Sequence, residues 1–348
     1  MAERGREIRV DFHTHVFPDR LPSLAARCGD ERWPYVERED DSSARIMLGK
    51  NVYRKIGESA WTASARLADM ERERVDIQVI SPTPITFGYW GRAEEALELA
   101  RFQNDFIAEF VSRNPRRFIG LGTVPMQAPE LAVAEMRRVL KELGLAGLEI
   151  GATVDGRGLH VPELRPFFQA AAELSCPLFV HPTNEPWAVG ERERRAALSG
   201  LHQVVGMTGE TAFAASTLML GGVLSELAEL RVCLAHGGGS LCLLVPRMAV
   251  IWEHLPGARN QLETSPMELV RRFWADTLSF DVDNLALLKA RFGAEKLMVG
   301  TDYPFAARER PTGAVIDRAA GHAAFDAAEL AAMRGENALR FLQLEDSF

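Results

Sequence analysis

Cysteine is scarce in this 348-residue chain: Cys28, Cys176, Cys233 and Cys242 form no C-x-x-C pair, and two of them lie inside apolar runs. That excludes a disulfide-stapled scaffold and points to a reducing cytoplasm. No apolar run is long enough to cross a bilayer. The longest weakly polar stretch, Ala212 to Leu224, is interrupted by Ser, Thr and two Gly, and the first residues carry no signal-peptide core. Charge of a single sign is missing as well: 40 basic residues against 48 acidic ones leave a net −8, with the signs interleaved as in Glu191-Arg-Glu-Arg-Arg195. Nucleic acid is therefore not an expected partner. Lysine is rare, at five against 35 arginines, so a single arginine says little about function. Repeats, low-complexity tracts and Pro/Ser-rich linkers are absent, and one domain over residues 1–348 is expected.

What is present is an alternation. Hydrophobic residues make up 47% of the chain and charged residues 25%, an ordinary globular balance. Eight short β-rich runs recur: Glu7–Phe12, Ile77–Ser81, Phe118–Val124, Gly147–Gly151, Pro177–His181, Arg231–His236, Leu278–Val282 and Leu297–Asp302. Amphipathic segments predict helices over Ala93–Asn114, Ala128–Leu143, Val161–Leu174 and Asp283–Phe292. Eight strands with intervening helices predict an α/β fold, the (β/α)8 TIM barrel. Two connections, about 17–61 and 182–216, are too long for simple crossovers and read as inserted loops over the C-terminal face of the barrel.

The chemistry-bearing residues fall where apolar runs stop. Asp11-Phe-His-Thr-His15 ends the first run, and alternation places His13 and His15 on one face. The fifth run ends at His181, the sixth at His236 before Gly237-Gly-Gly239, and the eighth at Asp302. Five metal-competent side chains at four strand ends point to a site at the barrel mouth. Imidazole plus carboxylate without thiolate suits Zn²⁺ and also admits Fe²⁺, Mn²⁺ or Co²⁺. The fourth run, Leu148-Glu-Ile-Gly151, offers no lysine that could be carboxylated to bridge two ions, so one ion per subunit is expected. His160, His202, His254 and His322 do not end strands and read as ordinary structural histidines, although His202 lies in the second insertion and could approach the site. The Gly237-Gly-Gly239 turn lacks a phosphate-binding spacing and is expected to let backbone come close to the metal site.

Longer segments carry a resemblance. Arg116-Arg-Phe-Ile-Gly-Leu-Gly-Thr-Val-Pro-Met-Gln-Ala-Pro-Glu-Leu-Ala-Val133, Val205-Gly-Met207, Gly221-Gly-Val223, Ala235-His-Gly-Gly-Gly239 and Gly300-Thr-Asp-Tyr-Pro-Phe305 resemble the amidohydrolase superfamily and, within it, the 2-amino-3-carboxymuconate 6-semialdehyde decarboxylase family. The resemblance implies that His13, His15, His181 and Asp302 hold one Zn²⁺ with a water, which His236 activates, and that His236 and Asp302 are catalytic. It matches Arg54 and Arg247 to two arginines that bind substrate carboxylate, the second reaching into a neighbouring subunit's site, and so implies a homodimer. Two planar guanidinium forks suit a dicarboxylate-like substrate. The implied activity is non-oxidative loss of CO2 from a small unsaturated or aromatic carboxylic acid, 2-amino-3-carboxymuconate 6-semialdehyde or a close analogue.

The chain departs from that pattern where His181-Pro-Thr-Asn184 replaces His-Pro-Trp-Asp and where Gln203 stands for a Trp. Trp187 could refill part of that volume, and the Arg-rich stretch 191–195 reads as a solvated helix face. Two alternatives stay open. One is a metal-dependent hydrolase or hydratase on the same scaffold; the other is a non-catalytic metabolite-binding homologue.

Overall fold

The computed structural model describes residues 7–183, 200–255, 257 and 262–348. Eight parallel strands run in the order β1 (Val10–Val16), β5 (Ile77–Pro82), β6 (Phe118–Gly122), β7 (Gly147–Gly151), β8 (Leu178–His181), β9 (Val232–Leu234), β10 (Trp274–Asp276) and β11 (Leu297–Met298). Backbone bonds from Phe12 N to Val299 O (2.8 Å) and from Asp302 N to His13 O (2.9 Å) join the last strand's continuation to the first. The sheet thereby curls into the expected barrel.

Apolar side chains fill the interior in a layer: Val10, Phe12, Val79, Leu121, Phe179 and Trp274 all point inward. Phe341, on the helix Asn337–Leu342, meets Phe12 edge-on at 5.4 Å and closes the end away from the histidines. A second, larger core lies between the strands and the surrounding helices. The helices fall within a few residues of the expected ones, at Ala93–Arg113, Pro129–Lys141, Arg165–Glu173 and Val282–Phe292. No described helix is long and apolar enough to cross a membrane.

Three expectations need correction. The seventh strand is Trp274–Asp276, not Leu278–Val282. Phe280 adopts φ 61°, and Asp281 caps the following helix by accepting from the N–H groups of Asp283 and Asn284, so the expected run belongs to a helix start. The insertion near 17–61 is more than a loop, because β2 (Pro34–Arg38), β3 (Ser43–Leu48) and β4 (Asn51–Gly57) form an antiparallel sheet. The insertion near 182–216 ends earlier than expected, since a helix occupies Met207–Leu220. Asn184, Trp187 and the stretch 191–195 lie outside the described residues.

Candidate active site

Simple alternation along β1 would turn His13 away from Phe12. The β1–β5 register instead slips between Asp11 and Thr14. This irregularity changes the parity of the strand, and both Phe12 and His13 contact the inward ring of Phe179, at 5.2 and 4.9 Å. The strand is anchored from outside by the buried Arg66, which donates to Thr14 Oγ1 (3.1 Å), Gln78 Oε1 (3.2 Å) and the carbonyl of His15.

His13, His15, His181, His236 and Asp302 converge at the C-terminal mouth. His13 Nε2 lies 3.1 Å from His15 Nε2, and Asp302 Oδ1 lies 3.5 and 3.2 Å from the same two nitrogens. Ligand-capable atoms of His13, His181, His236 and Asp302 all fall within 4.8 Å of one another. His181 Nε2 and Asp302 Oδ1 are buried without a hydrogen-bond partner, so the donor set fits a divalent cation.

The four imidazoles differ in what holds their other nitrogen. His13 Nδ1 donates to Asp276 Oδ2 (2.7 Å), His15 Nδ1 to the carbonyl of Pro82 (2.9 Å) and His181 Nδ1 to that of Pro182 (2.9 Å). Each arrangement leaves Nε2 with a free lone pair. His236 Nδ1 has no partner. Burial lowers the pKa of His15 and pushes that of His181 well below its usual value, the second helped by the neighbouring imidazoles. Burial also works against charge on His236, but the Asp302 and Asp276 carboxylates outweigh it and raise the pKa. Asp302 is likewise buried, yet the His15 and His236 imidazoles beside it hold its carboxyl well below the usual carboxylate range.

Asp276 and Glu149 escaped the sequence reading. Asp276 ends the misplaced seventh strand; Glu149, fully buried on β7, has Oε1 3.8 Å from His15 Nδ1, and burial holds its pKa well above normal. A carboxylate closing the run Trp274-Ala-Asp276 is the signal that could have found the first. Gly300 makes the approach of Asp276 to His13 possible, because a Cβ there would stand 2.7 Å from the Cβ atoms of both. His236 and Asp302 both sit in left-handed backbone, with φ 54° and 66°.

Above the histidines opens a cavity of about 1500 Å³, with His181 and Asp302 in its wall. Arg54 projects from β4 into it, its guanidinium 4.0 Å over the Phe305 ring, which stacks on His15. His202, expected to be structural, and Gln203 also line the cavity, as does Thr183, whose N–H donates to Glu210 Oε2. Arg247 does not line it. It is exposed on the helix Leu241–His254. His160 packs against Gly221, His254 is exposed, and His322 Nδ1 accepts from Ala324 N, as structural histidines do. The glycine turn brings backbone close in two places: Gly239 abuts the backbone of Thr208, and Gly237 N–H reaches Asp276, which also holds His13.

The Amidohydrolase family pattern matches residues 10–344. The chain belongs to the amidohydrolase family. It is 37% identical over 345 residues to the 2-amino-3-carboxymuconate-6-semialdehyde decarboxylase of Dictyostelium discoideum, covering 98% of this chain and 93% of that one. Among solved structures it resembles 5-carboxyvanillate decarboxylase from Sphingomonas paucimobilis, with TM-score 0.79, 24% identity and coverage of 97% and 99%. It also resembles a dihydroxybenzoic acid decarboxylase from Polaromonas with bound manganese, at TM-score 0.73, 21% identity and coverage of 97% and 98%. Within the amidohydrolase family, this chain is a metal-dependent decarboxylase.

Proposed function

We propose that the chain, as a single domain, is a zinc-dependent, non-oxidative decarboxylase of a small unsaturated or aromatic carboxylic acid, 2-amino-3-carboxymuconate 6-semialdehyde or a close analogue. The observation that carries the reading is the division among the four histidines. Three have Nδ1 committed to an acceptor and present Nε2 inward, while His236 Nδ1 has no acceptor. His13, His15, His181 and Asp302 accordingly hold the ion, and His236 moves the proton. A bound divalent ion supplies Lewis-acid charge and lowers the pKa of water beside it. The donor set fits zinc; the manganese-bound relative makes the metal's identity a point for experiment.

Arg54 clamps a substrate carboxylate at the mouth, and Phe305, stacked between Arg54 and His15, forms an apolar wall beside the reacting carbon. The His236 imidazolium gives its proton to the carbon bearing the departing carboxylate. That bond formation avoids a vinylic or aryl carbanion; the electron pair of the breaking C–C bond then restores conjugation, and CO2 leaves. Neutral His236 is reprotonated from water. No oxidant or organic cofactor enters the balance.

The second carboxylate arginine comes from a second copy in this reading. The helix carrying Arg247 exposes Leu243 (73%) and Val250 (57%), and its C-cap Leu255 (59%) adds to a large apolar area for an outer face. A homodimer covers that face and places Arg247 of the partner subunit in surplus cavity space that a single-ring acid leaves empty. Buried free Cys176, Cys233 and Cys242 suit a reducing cytoplasm. Metal-stripped protein tests the metal assignment: CO2 release should vanish and return with one equivalent of Zn²⁺ per chain. Full activity without metal, or return only with Mn²⁺, would contradict it.

A further inference from the structure

We propose that Asp276 is a positioning residue that sets both halves of the site at once, the ion-facing nitrogen of His13 and the backbone on which His236 stands. The proposal rests on the roles of His13 and His236 given above. The Asp276 side chain is fully buried and accepts from four donors. Oδ2 takes His13 Nδ1 (2.7 Å) and His236 N (2.8 Å), while Oδ1 takes Gly237 N (2.8 Å) and Leu278 N (3.0 Å). Only an acceptor-only group satisfies all four, and among side chains that is a carboxylate.

Each bond has a separate consequence. The proton held on His13 Nδ1 leaves Nε2 as a lone pair facing His15 and Asp302. The two backbone bonds hold His236 and Gly237 in consecutive left-handed conformations, φ 54° and 62°. For the non-glycine His236 that conformation costs on the order of 1 kcal/mol or more, so it persists only when its surroundings impose it. Asp276 is what converges on those N–H groups. One carboxylate therefore links ion retention to the placement of the acid/base ring, from outside the cavity lining.

Asp276→Asn tests this with little change of shape. Wherever the amide NH2 points, it meets donors. Facing His13, it favours the Nε2–H tautomer, which has no lone pair left for an ion; facing Gly237, it releases the turn. Competition with a chelator for Zn²⁺ should show affinity lowered by about 10- to 100-fold. At saturating Zn²⁺, kcat should still fall by about tenfold or more, with KM within about threefold, because His236 is misplaced while the substrate contacts remain. Affinity within about threefold of the parent in Asp276→Ala, which removes both oxygens, would overturn the His13 half, and full kcat at saturation in either variant would overturn the His236 half. Should the variant not fold, long-range ¹H–¹⁵N spectra of the unaltered protein decide: His13 should be protonated at Nδ1 with and without Zn²⁺, and an Nε2–H tautomer would refute the proposal. If no carboxylic acid yields CO2, only the kcat arm is lost with the decarboxylase reading. The affinity and tautomer arms stand independently.

Discussion

Gly300→Ala isolates the packing on which the site depends. Gly300 does not use the left-handed backbone that alanine resists, so the substitution adds one methyl group and no backbone strain. That methyl would lie 2.7 Å from the Cβ atoms of His13 and Asp276, whereas ordinary contacts begin near 3.4 Å. Something must move by about 0.7 Å, and neither Cβ is the free end of a flexible side chain. Overpacking of this kind costs about 1–3 kcal/mol, a modest loss for a chain with cores this large. The site should suffer more than the fold, since metal–ligand distances tolerate only about ±0.2 Å. Misplacement approaching 1 Å can cost on the order of 10²-fold in rate. Calorimetry should show a melting temperature lower by a few degrees, while chelator competition and CO2 release should show losses of at least tenfold in affinity and rate. A folded variant with parental metal affinity and activity would refute the packing argument.

Arg54→Ala should raise KM for a dicarboxylate by about 10- to 100-fold, the equivalent of one charged hydrogen-bonding partner; an unchanged KM in steady-state kinetics removes Arg54 from substrate binding. At substrate well below the parental KM, Arg247→Ala and His236→Ala proteins should each be strongly impaired alone, yet recover part of the parental activity after mixing and subunit exchange, because one mixed site regains both the His236 and the Arg247 side chains. Absence of recovery in verified mixed dimers would place Arg247 elsewhere. Glu309 concerns stability: burial lifts its pKa from 4.5 to about 7, and Oε2 has no partner. The native state thus binds the proton more tightly than the unfolded chain, and stability falls as pH rises from about 4.5 through 7. Glu309→Gln should gain up to about 3 kcal/mol at pH 8 relative to its effect at pH 5; equal melting shifts at both pH values would contradict the assignment.

The barrel and most of the site were legible because His181, His236 and Asp302 each terminate an apolar run, and a polar, metal-competent side chain has little other reason to stand there. The β1 irregularity was not legible. Nothing in Val10-Asp-Phe-His-Thr-His-Val16 announces a change of parity, which is set by pairing with β5. Asp276 was missed because β10 is only three residues long and the more hydrophobic Leu278–Val282 looked like the better strand. The antiparallel sheet of β2–β4 hid behind mostly half-exposed positions, whose strand character comes from pairing more than from alternation of burial. His202 reached the cavity through the π-helical turn His202–Gly206, a local geometry that composition does not encode.

The central claim is that this chain releases CO2 with His236 as proton donor. Zinc-loaded protein supplied with freshly generated 2-amino-3-carboxymuconate 6-semialdehyde should release one CO2 per substrate, and His236→Ala should retain zinc while losing at least about 10²-fold in rate. Near-parental turnover by zinc-loaded His236→Ala would contradict the account, as would consumption of the substrate by the parent without CO2.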